Sequence, residues 1–248
     1  SATSPYSGLY IQAGDIANTG VEMSLAYNDH VGAVDFESRL VYSRNVNKVK
    51  KLVRNYHTGI DNQVINFTET SAGGGFIREG DSMGDVYITK VLKRDASGNI
   101  AVGADGSLSS MDLPNGQRLK IGNTNPDFTL GWRNNISWKG LNLSFLINAR
   151  VGGIVTSATQ AVLDQFGVSK ATADARDRGY VEVAGGQKVD PQKYYEVVAN
   201  QQLMGYYYYS ATNVRLQNVS LSYTLPKTLL GQGWPGVTVG LIANNLWM

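Results

Sequence analysis

The stretch Asp127-Phe-Thr-Leu-Gly-Trp-Arg-Asn-Asn-Ile-Ser-Trp138, followed by Lys139-Gly140 and by Leu141-Asn-Leu-Ser-Phe-Leu-Ile-Asn-Ala-Arg-Val151, decides the fold. Its even positions carry Phe128, Leu130, Trp132, Ile136 and Trp138, and the odd positions between them carry Thr129, Gly131, Arg133, Asn135 and Ser137. A period of two belongs to a strand with one apolar face. Lys139-Gly140 reads as a tight hairpin turn, with Gly available for a positive φ. Beyond it the apolar set resumes at Leu141, Leu143, Phe145, Ile147, Ala149 and Val151, against Asn142, Ser144, Asn148 and Arg150, with Leu146 the exception.

Length separates the environments such a hairpin can occupy. Strands of soluble domains usually run about 5–6 residues, whereas a tilted membrane-spanning strand needs about 9–11. Ten steps from Phe128 to Trp138, at ~3.3 Å each, give roughly 33 Å of strand, and a tilt of about 40° projects this to roughly 25 Å. That is the height of the apolar band on an outer-membrane barrel, with an aromatic residue at each edge. The competing arrangement is one sheet of a large soluble sandwich.

Composition favours many strands and turns. In 248 residues there are 28 Gly and 14 Tyr, and only 17% of residues are charged. The net charge of +2 leaves no electrostatic case for nucleic acid. Cys is absent, so there is neither a disulfide frame nor a thiolate metal site. No run of 18 apolar residues exists, which rules out a transmembrane helix but not a barrel. The opening residues, Ser1-Ala-Thr-Ser-Pro-Tyr6, have neither the basic start nor the apolar core of a signal peptide, as expected for a mature or partial chain.

Four further strands follow the same alternation. Residues 1–15 read as the end of a loop. Val21, Met23, Leu25 and Tyr27 form a face against Glu22, Ser24 and Ala26, and the link Asn28-Asp-His-Val-Gly32 returns the chain. Val34, Phe36, Leu40 and Tyr42 then oppose Asp35, Glu37, Arg39 and Ser43, a charged face suited to a watery lumen and ill suited to a packed core. Later, Val219, Leu221, Tyr223 and Leu225 oppose Asn218, Ser220, Ser222 and Thr224 until Pro226. A link through Trp234-Pro-Gly236 leads to Val237, Val239, Leu241 and Ala243.

Between these strands lie two long excursions, about 44–126 and 152–213. The first lacks a sustained period, but short strands are expected at Val86–Leu92 and Ile100–Val102, joined by the hairpin tip Asp95-Ala-Ser-Gly-Asn99. The second holds two helix signatures, Ser157 before Ala158–Phe166 with closing Gly167, and Ser169 before Lys170–Arg178 with closing Gly179. Six strands are thus joined by connections that go short, long, short, long, short, the sorting expected of a membrane barrel with long loops on its extracellular side. Tyr27, Trp138 and Tyr223 each end a strand before a short connection, as an interfacial girdle requires. The fold class expected is therefore all-β, a transmembrane antiparallel β-barrel portion of about six strands with long extracellular loops containing short helices.

At this point the residues resemble a known family. Val214-Arg-Leu-Gln-Asn-Val-Ser-Leu-Ser-Tyr-Thr-Leu-Pro226, preceded by Tyr206–Tyr209, is similar to the near-C-terminal strand of SusC/RagA-type TonB-dependent outer-membrane transporters. Similar in the same way are Asn18-Thr-Gly-Val-Glu-Met-Ser-Leu25, Ile121-Gly-Asn-Thr-Asn-Pro-Asp-Phe128, Arg150-Val-Gly-Gly153 and Gly167-Val-Ser-Lys-Ala-Thr-Ala-Asp-Ala-Arg176, spread along the whole chain in the family's order. The resemblance implies that residues 1–248 are the C-terminal part of such a barrel, with the plug domain and the last strand absent from this stretch. It also implies TonB-dependent import of oligosaccharides or peptides, as the barrel component of a SusCD-like complex in the bacterial outer membrane, crossed many times. The partners it implies are a SusD-like surface lipoprotein, the TonB-ExbB-ExbD complex reached through the missing N-terminal part, and outer-membrane lipid. A reading from a second class is a bacterial surface glycan-binding or adhesion β module without transport activity.

Enzymatic chemistry finds no support in the residues, and no cofactor is expected. His30 and His57 lack metal-motif spacing, and both fall in expected loops. Gly73-Gly-Gly75 is not followed by the Lys-Ser/Thr of a phosphate loop, so it reads as a flexible loop. Asp95–Asn99 and Asp105-Gly106 lack the spacing and the closing Glu of a calcium loop. Lys48, Lys50, Lys51 and Arg54 read as a solvated lip beyond a strand. The candidate ligand residues are Tyr206, Tyr207, Tyr208 and Tyr209, whose rings and hydroxyls suit capture of a sugar or peptide at a mouth or, as an extension of the strand, pack alternately against loops, together with Arg133 and Arg150, which line the lumen or pair with carboxylates of a plug outside this stretch.

Overall fold

Alternation of side chains in the strands sorts the molecule into one large sheet and a cap of loops. The computed structural model describes residues 14–57, 64–72, 75–226, 228 and 236–248. Six strands hydrogen-bond in chain order as one antiparallel sheet: β1 (Gly14–Val31), β2 (Val34–Leu52), β3 (Phe128–Trp138), β4 (Leu141–Val151), β5 (Asn213–Thr224) and β6 (Thr238–Trp247). The register aligns the apolar positions into rows. Leu25, Leu40, Trp132, Ile147 and Leu216 face one another in succession across β1–β5. Two steps toward the short-turn end, Tyr27, Phe145, Val219 and Ala243 share a row with two polar residues, Ser38 and Asn134, the latter buried with its Nδ2 unpartnered. Nearest the short turns stand Val31, Val34, Trp138, Leu141, Tyr223 and Val239.

Among the described residues nothing is stacked on that apolar face. Leu221 is 42% exposed and Leu241 77%, and Leu130 and Leu143 are half-buried by their neighbours in the sheet. A sandwich would seal these residues between two sheets, whereas a barrel wall presents them to hydrocarbon. Trp138 and Tyr223 share the last row, with Lys139 Nζ 5.6 Å from the Trp138 ring. Tyr27 stands two rows inside it and donates its hydroxyl to Asp29 at 2.7 Å. At the other end of the band Phe128 packs against Tyr42, ring centroids 5.6 Å apart.

Both two-residue turns use positive φ. Lys139 (φ 46) and Gly140 (φ 87) both adopt it, the type I′ pattern that matches strand twist. The first hairpin turns at Gly32-Ala33, with Gly32 at φ 64, so the expected link 28–32 is mostly strand and His30 lies within β1. His30 Nδ1 sits 2.7 Å from Asp35 Oδ1 across that turn. The Trp234-Pro235 part of the third connection lies outside the described residues, as do residues 1–13 and Gly73-Gly74.

Above the band the first hairpin outruns the expectation. β1 and β2 are 18 and 19 residues long, so the first excursion begins after Leu52 and not at 44. Asn18 Oδ1 accepts from Asn47 Nδ2 at 3.0 Å in this extension, where Val49 and Leu52 are buried under loop residues 79–81. The two excursions fold on each other. Leu92, Ile100 and Leu108 from the first form one buried cluster with Ala161, Val183, Val189, Val198, Ala199, Leu203 and Tyr207 from the second. The hydrophobic core therefore lies in the loops, not under the sheet.

Short ladders build this cap. Asp85–Ile88 pairs with Leu119–Asn123, Lys90–Leu92 with Ser110–Asp112, and Val181–Val183 with Gln187–Val189. Of the expected strand Ile100–Val102 only a bridge from Ile100 to Arg94 forms, closing the tip Asp95–Asn99. Both expected helices are present, α1 (Ala158–Gln165) capped by Ser157 and α2 (Lys170–Arg178) capped by Ser169, the latter ending on Gly179 at φ 82. A third, α3 (Pro191–Val198), was not anticipated. Asp190 caps it by accepting from Lys193 N at 3.1 Å, with Pro191 at the first helical position.

Candidate ligand-binding cleft at the loop end of the sheet

Polar positions of the sheet form the second face, and their chemistry changes along the strands. Near the short turns it is neutral or acid-base balanced: Asn135 Nδ2 donates to Glu37 Oε2 at 3.0 Å, and Arg39 Nη2 lies 3.9 Å from Glu37 Oε1. Toward the loops it becomes basic. Asn148 stands opposite Arg215, and Arg150 opposite Asn213, so the two arginines are diagonal neighbours on β4 and β5.

These arginines border a cleft of about 1060 Å³, whose wall also includes Thr156, Tyr208, Thr212 and Trp247. Among the described residues no Asp or Glu lines it. Arg150 Nη2 donates to the Thr124 carbonyl at 2.5 Å, and its Nε is buried without a partner. Arg215 Nε is likewise buried and unpartnered, and among the described residues its guanidinium meets no carboxylate. The chain is held over Arg150 by Gly152 and Gly153 at φ 79 and 83. A Cβ on Gly153 would come within 3.1 Å of both Arg150 Nη2 and the Asn125 carbonyl. This is the physical reason for two consecutive glycines after Arg150-Val151.

The sequence candidates divide. Arg150 and Tyr208 share the cleft, Tyr208 through the short ladder Ile154–Thr156 with Tyr208–Ser210. Tyr209 sits on the same ladder and is 46% exposed, but does not line the cleft. Tyr206 accepts from Leu92 N at 3.5 Å, and Tyr207, 3% exposed, donates to Asp164 Oδ2 at 3.0 Å inside the loop core. Arg133 lies on the polar face opposite Arg39 and Leu146, away from the cleft. Arg215 and Asn148 were missed as ligand candidates. Arg215 had a signal, since it interrupts the apolar positions Val214 and Leu216 on the polar face of a strand.

A second polar cluster holds the cap to β2. Asp85, buried, accepts from Lys120 Nζ at 2.6 Å, Asn123 Nδ2 at 2.7 Å and Ser82 N at 2.8 Å, and Asn47 Oδ1 of β2 accepts from Met83 N at 2.8 Å. Tyr87 donates to Asp81 Oδ2 at 2.5 Å, and this bond, helped by Lys120, holds the Asp81 carboxyl below its usual range. Burial first, then the same bond, pushes the Tyr87 phenol up. The turn carboxylates are occupied locally: Asp95 Oδ1 accepts from Ser97 N and Asn99 N at 2.8 and 3.0 Å, and Asp105 Oδ1 from Ser107 N at 3.0 Å. Among the described residues no group of three or more His, Asp or Glu is placed to hold a metal ion. Arg54 of the basic lip donates to the Phe67 carbonyl and pairs with Glu79 at 2.5 Å, so it fastens a loop. No helix among the described residues is long and apolar enough to cross a membrane, which says nothing about strands.

No protein-family profile matches the chain. It is 27% identical over 247 residues to TonB-dependent receptor P3 of Formosa agariphila, a match covering 92% of this chain and 24% of the receptor. Two solved structures share the fold over 95% of this chain and 26% of theirs, each at 19% identity: the RagAB peptide transporter, TM-score 0.61, and the RagAB peptide importer in its closed-closed state, TM-score 0.57. The chain spans about a quarter of the length of each.

Proposed function

We propose that this chain, a stretch of barrel wall from a SusC/RagA-type TonB-dependent transporter, belongs to a protein that imports oligosaccharides or peptides across the bacterial outer membrane. The observation that carries the reading is the continuous apolar face of β1–β6, left uncovered while the loops build a core of their own. In the intact barrel that face meets lipid and the opposite face, with Glu37, Arg39, Arg133 and Asn135, meets the wet interior. The packed loops stand outside the cell at the mouth, where a SusD-like surface lipoprotein closes over the substrate. The TonB-ExbB-ExbD complex supplies energy through parts of the transporter beyond this stretch. Residues 1–248 are then a C-terminal portion of the barrel, and six strands do not close a pore by themselves.

The reading is tested by uptake in cells carrying the intact gene or its deletion. Labelled oligosaccharides and peptides are expected to enter only with the gene present and a functional TonB, and to stop entering when the proton gradient is collapsed. Uptake indifferent to the deletion, or intact protein recovered in the aqueous fraction without detergent, would overturn it.

A further inference from the structure

The cleft between β4, β5 and the ladder Ile154–Thr156/Tyr208–Ser210 contains cations and no anion. Arg150 and Arg215 are diagonal neighbours whose buried Nε atoms have no hydrogen-bond acceptor, and the lining supplies hydroxyls from Thr156, Ser210 and Thr212 and a ring from Tyr208, but among the described residues no Asp or Glu. Two like charges held together and half-desolvated are unfavourable unless an anion joins them. In the described loops some cations meet carboxylates, as Arg54 meets Glu79, Arg78 meets Glu69 and Lys120 meets Asp85, and others meet carbonyls or rings, as Arg94 meets the Gly98 carbonyl and Arg118 the Phe76 ring. Two neighbouring arginines without a carboxylate, at a cleft of about 1060 Å³ beside the polar face of the sheet, invite a counter-charge from outside the wall.

We propose that Arg215 and Arg150 form a carboxylate-binding subsite for the imported oligomer, so that this transporter selects substrates bearing carboxyl groups over neutral ones of the same length. The planar, forked guanidinium matches a carboxylate in two parallel N–H···O bonds, and among the described residues neither guanidinium has a carboxylate partner. Tyr208 flanks the subsite with a flat face for the rest of the chain. A volume of about 1060 Å³ holds several monomer units, beyond a single ion. The proposal rests on the import reading and adds the chemistry of what is imported. The carboxylate has two sources, a uronic-acid sugar or a peptide.

The test is calorimetric binding to the intact transporter in detergent. The probes are tetragalacturonic acid, a tetra-alanine with free or amidated C-terminus, and neutral cello-oligosaccharides, applied to wild type, Arg215→Gln, Arg150→Gln, Arg215→Lys and, as a charge-matched control, Arg178→Gln on α2. Heat-modified mobility on gels confirms that each variant folds as a barrel, so loss of the barrel and loss of the subsite are told apart. The expected result is binding of a carboxylate-bearing probe at least tenfold tighter than its neutral counterpart. That preference should be lost in Arg215→Gln, weakened in Arg150→Gln, partly kept in Arg215→Lys and untouched in Arg178→Gln. Which probe binds separates sugar from peptide. Equal binding of acidic and neutral probes, an unchanged preference in Arg215→Gln, or no binding of any acidic probe because a carboxylate of the transporter's own fills the cleft, would each overturn the subsite while leaving the import reading standing.

Discussion

Tyr207 donates its phenolic hydrogen to Asp164 Oδ2 at 3.0 Å, joining the tyrosine run to α1 inside the loop core. Gln160 Nε2 donates to the other carboxylate oxygen at 2.7 Å, so both oxygens of this buried Asp are satisfied. Tyr207→Phe keeps the ring and strands one oxygen, at a cost of about 1–3 kcal/mol. Hydrogen exchange is expected to accelerate in residues 158–165 and 203–210 and to stay unchanged in β3 and β4. The Tyr207 phenol is pushed up by burial first and by Asp164 second. A raised folded-state pKa means its contribution is fully present below the ordinary phenol value of about 10 and is lost as pH rises beyond it. Exchange in the cap should therefore quicken above about pH 10 in wild type, and less so in Tyr207→Phe.

Asp85 fixes the other side of the cap, with three donors on one buried carboxylate. Asp85→Ala leaves Lys120, Asn123 and the Ser82 amide without that acceptor, a loss expected at about 2–4 kcal/mol locally. Lys120→Met should cost less than half as much, because Lys120 is half-exposed and its charge is screened. Limited proteolysis between 79 and 88 reads both. Asp81, whose carboxyl is held down chiefly by Tyr87, adds stability that is present above the ordinary carboxylate value of about 4 and lost as pH falls through its lowered folded value.

Depth in the band grades the cost of a charge. Ile147 lies in the row of Leu40 and Trp132, mid-way between the Phe128 and Trp138 ends, whereas Leu143 is one row from the Trp138–Tyr223 edge. Ile147→Arg should cost roughly 2–4 kcal/mol in a folding titration of the intact transporter, Leu143→Arg about 1 kcal/mol or less, and Ser144→Arg on the polar face little. Similar costs at all three sites would contradict the assignment of faces.

The Lys139-Gly140 turn offers a stabilising change. Lys139 occupies φ 46, a region that favours Asn or Gly. Lys139→Asn is expected to stabilise the hairpin by about 0.5–1 kcal/mol. Gly140→Ala at φ 87 brings a Cβ within 2.9 Å of the Thr224 carbonyl and should destabilise by at least 1 kcal/mol. Midpoints of urea unfolding in lipid vesicles check both.

How far these elements could be read from sequence follows from what each strand face touches. β3 and β4 alternate with one exception each, Asn134 and Leu146, because one face of each stays apolar and the other polar along most of its length, and their boundaries were legible to the residue. The upper part of β2 was not. Past Tyr42 the outward positions become Arg44, Val46 and Lys48 while Val49 is buried by a loop, so the period of two dissolves although the ladder continues. The loop core was hidden because its ladders are only three to five residues long and its apolar residues meet across more than a hundred positions. Of the cleft, Arg150 and Tyr208 were visible from residue type alone. The pairing of Arg150 with Arg215 depends on the β4–β5 register, which no local pattern states.

The account turns on lipid contacting one side of β1–β6 and water the other. The sequence contains no Cys, so single thiols can be placed in this stretch at will. Cysteines introduced one at a time along β4 and β5, in intact transporter embedded in outer membrane, are to be scored for reaction with a charged, water-soluble maleimide. Thiols at 144, 148 and 220 are predicted to react, and those at 145, 147, 219 and 221 to resist until the membrane is dissolved. Labelling that fails to alternate along the two strands, or thiols at 147 and 221 that react as fast as those at 148 and 220, would contradict the account.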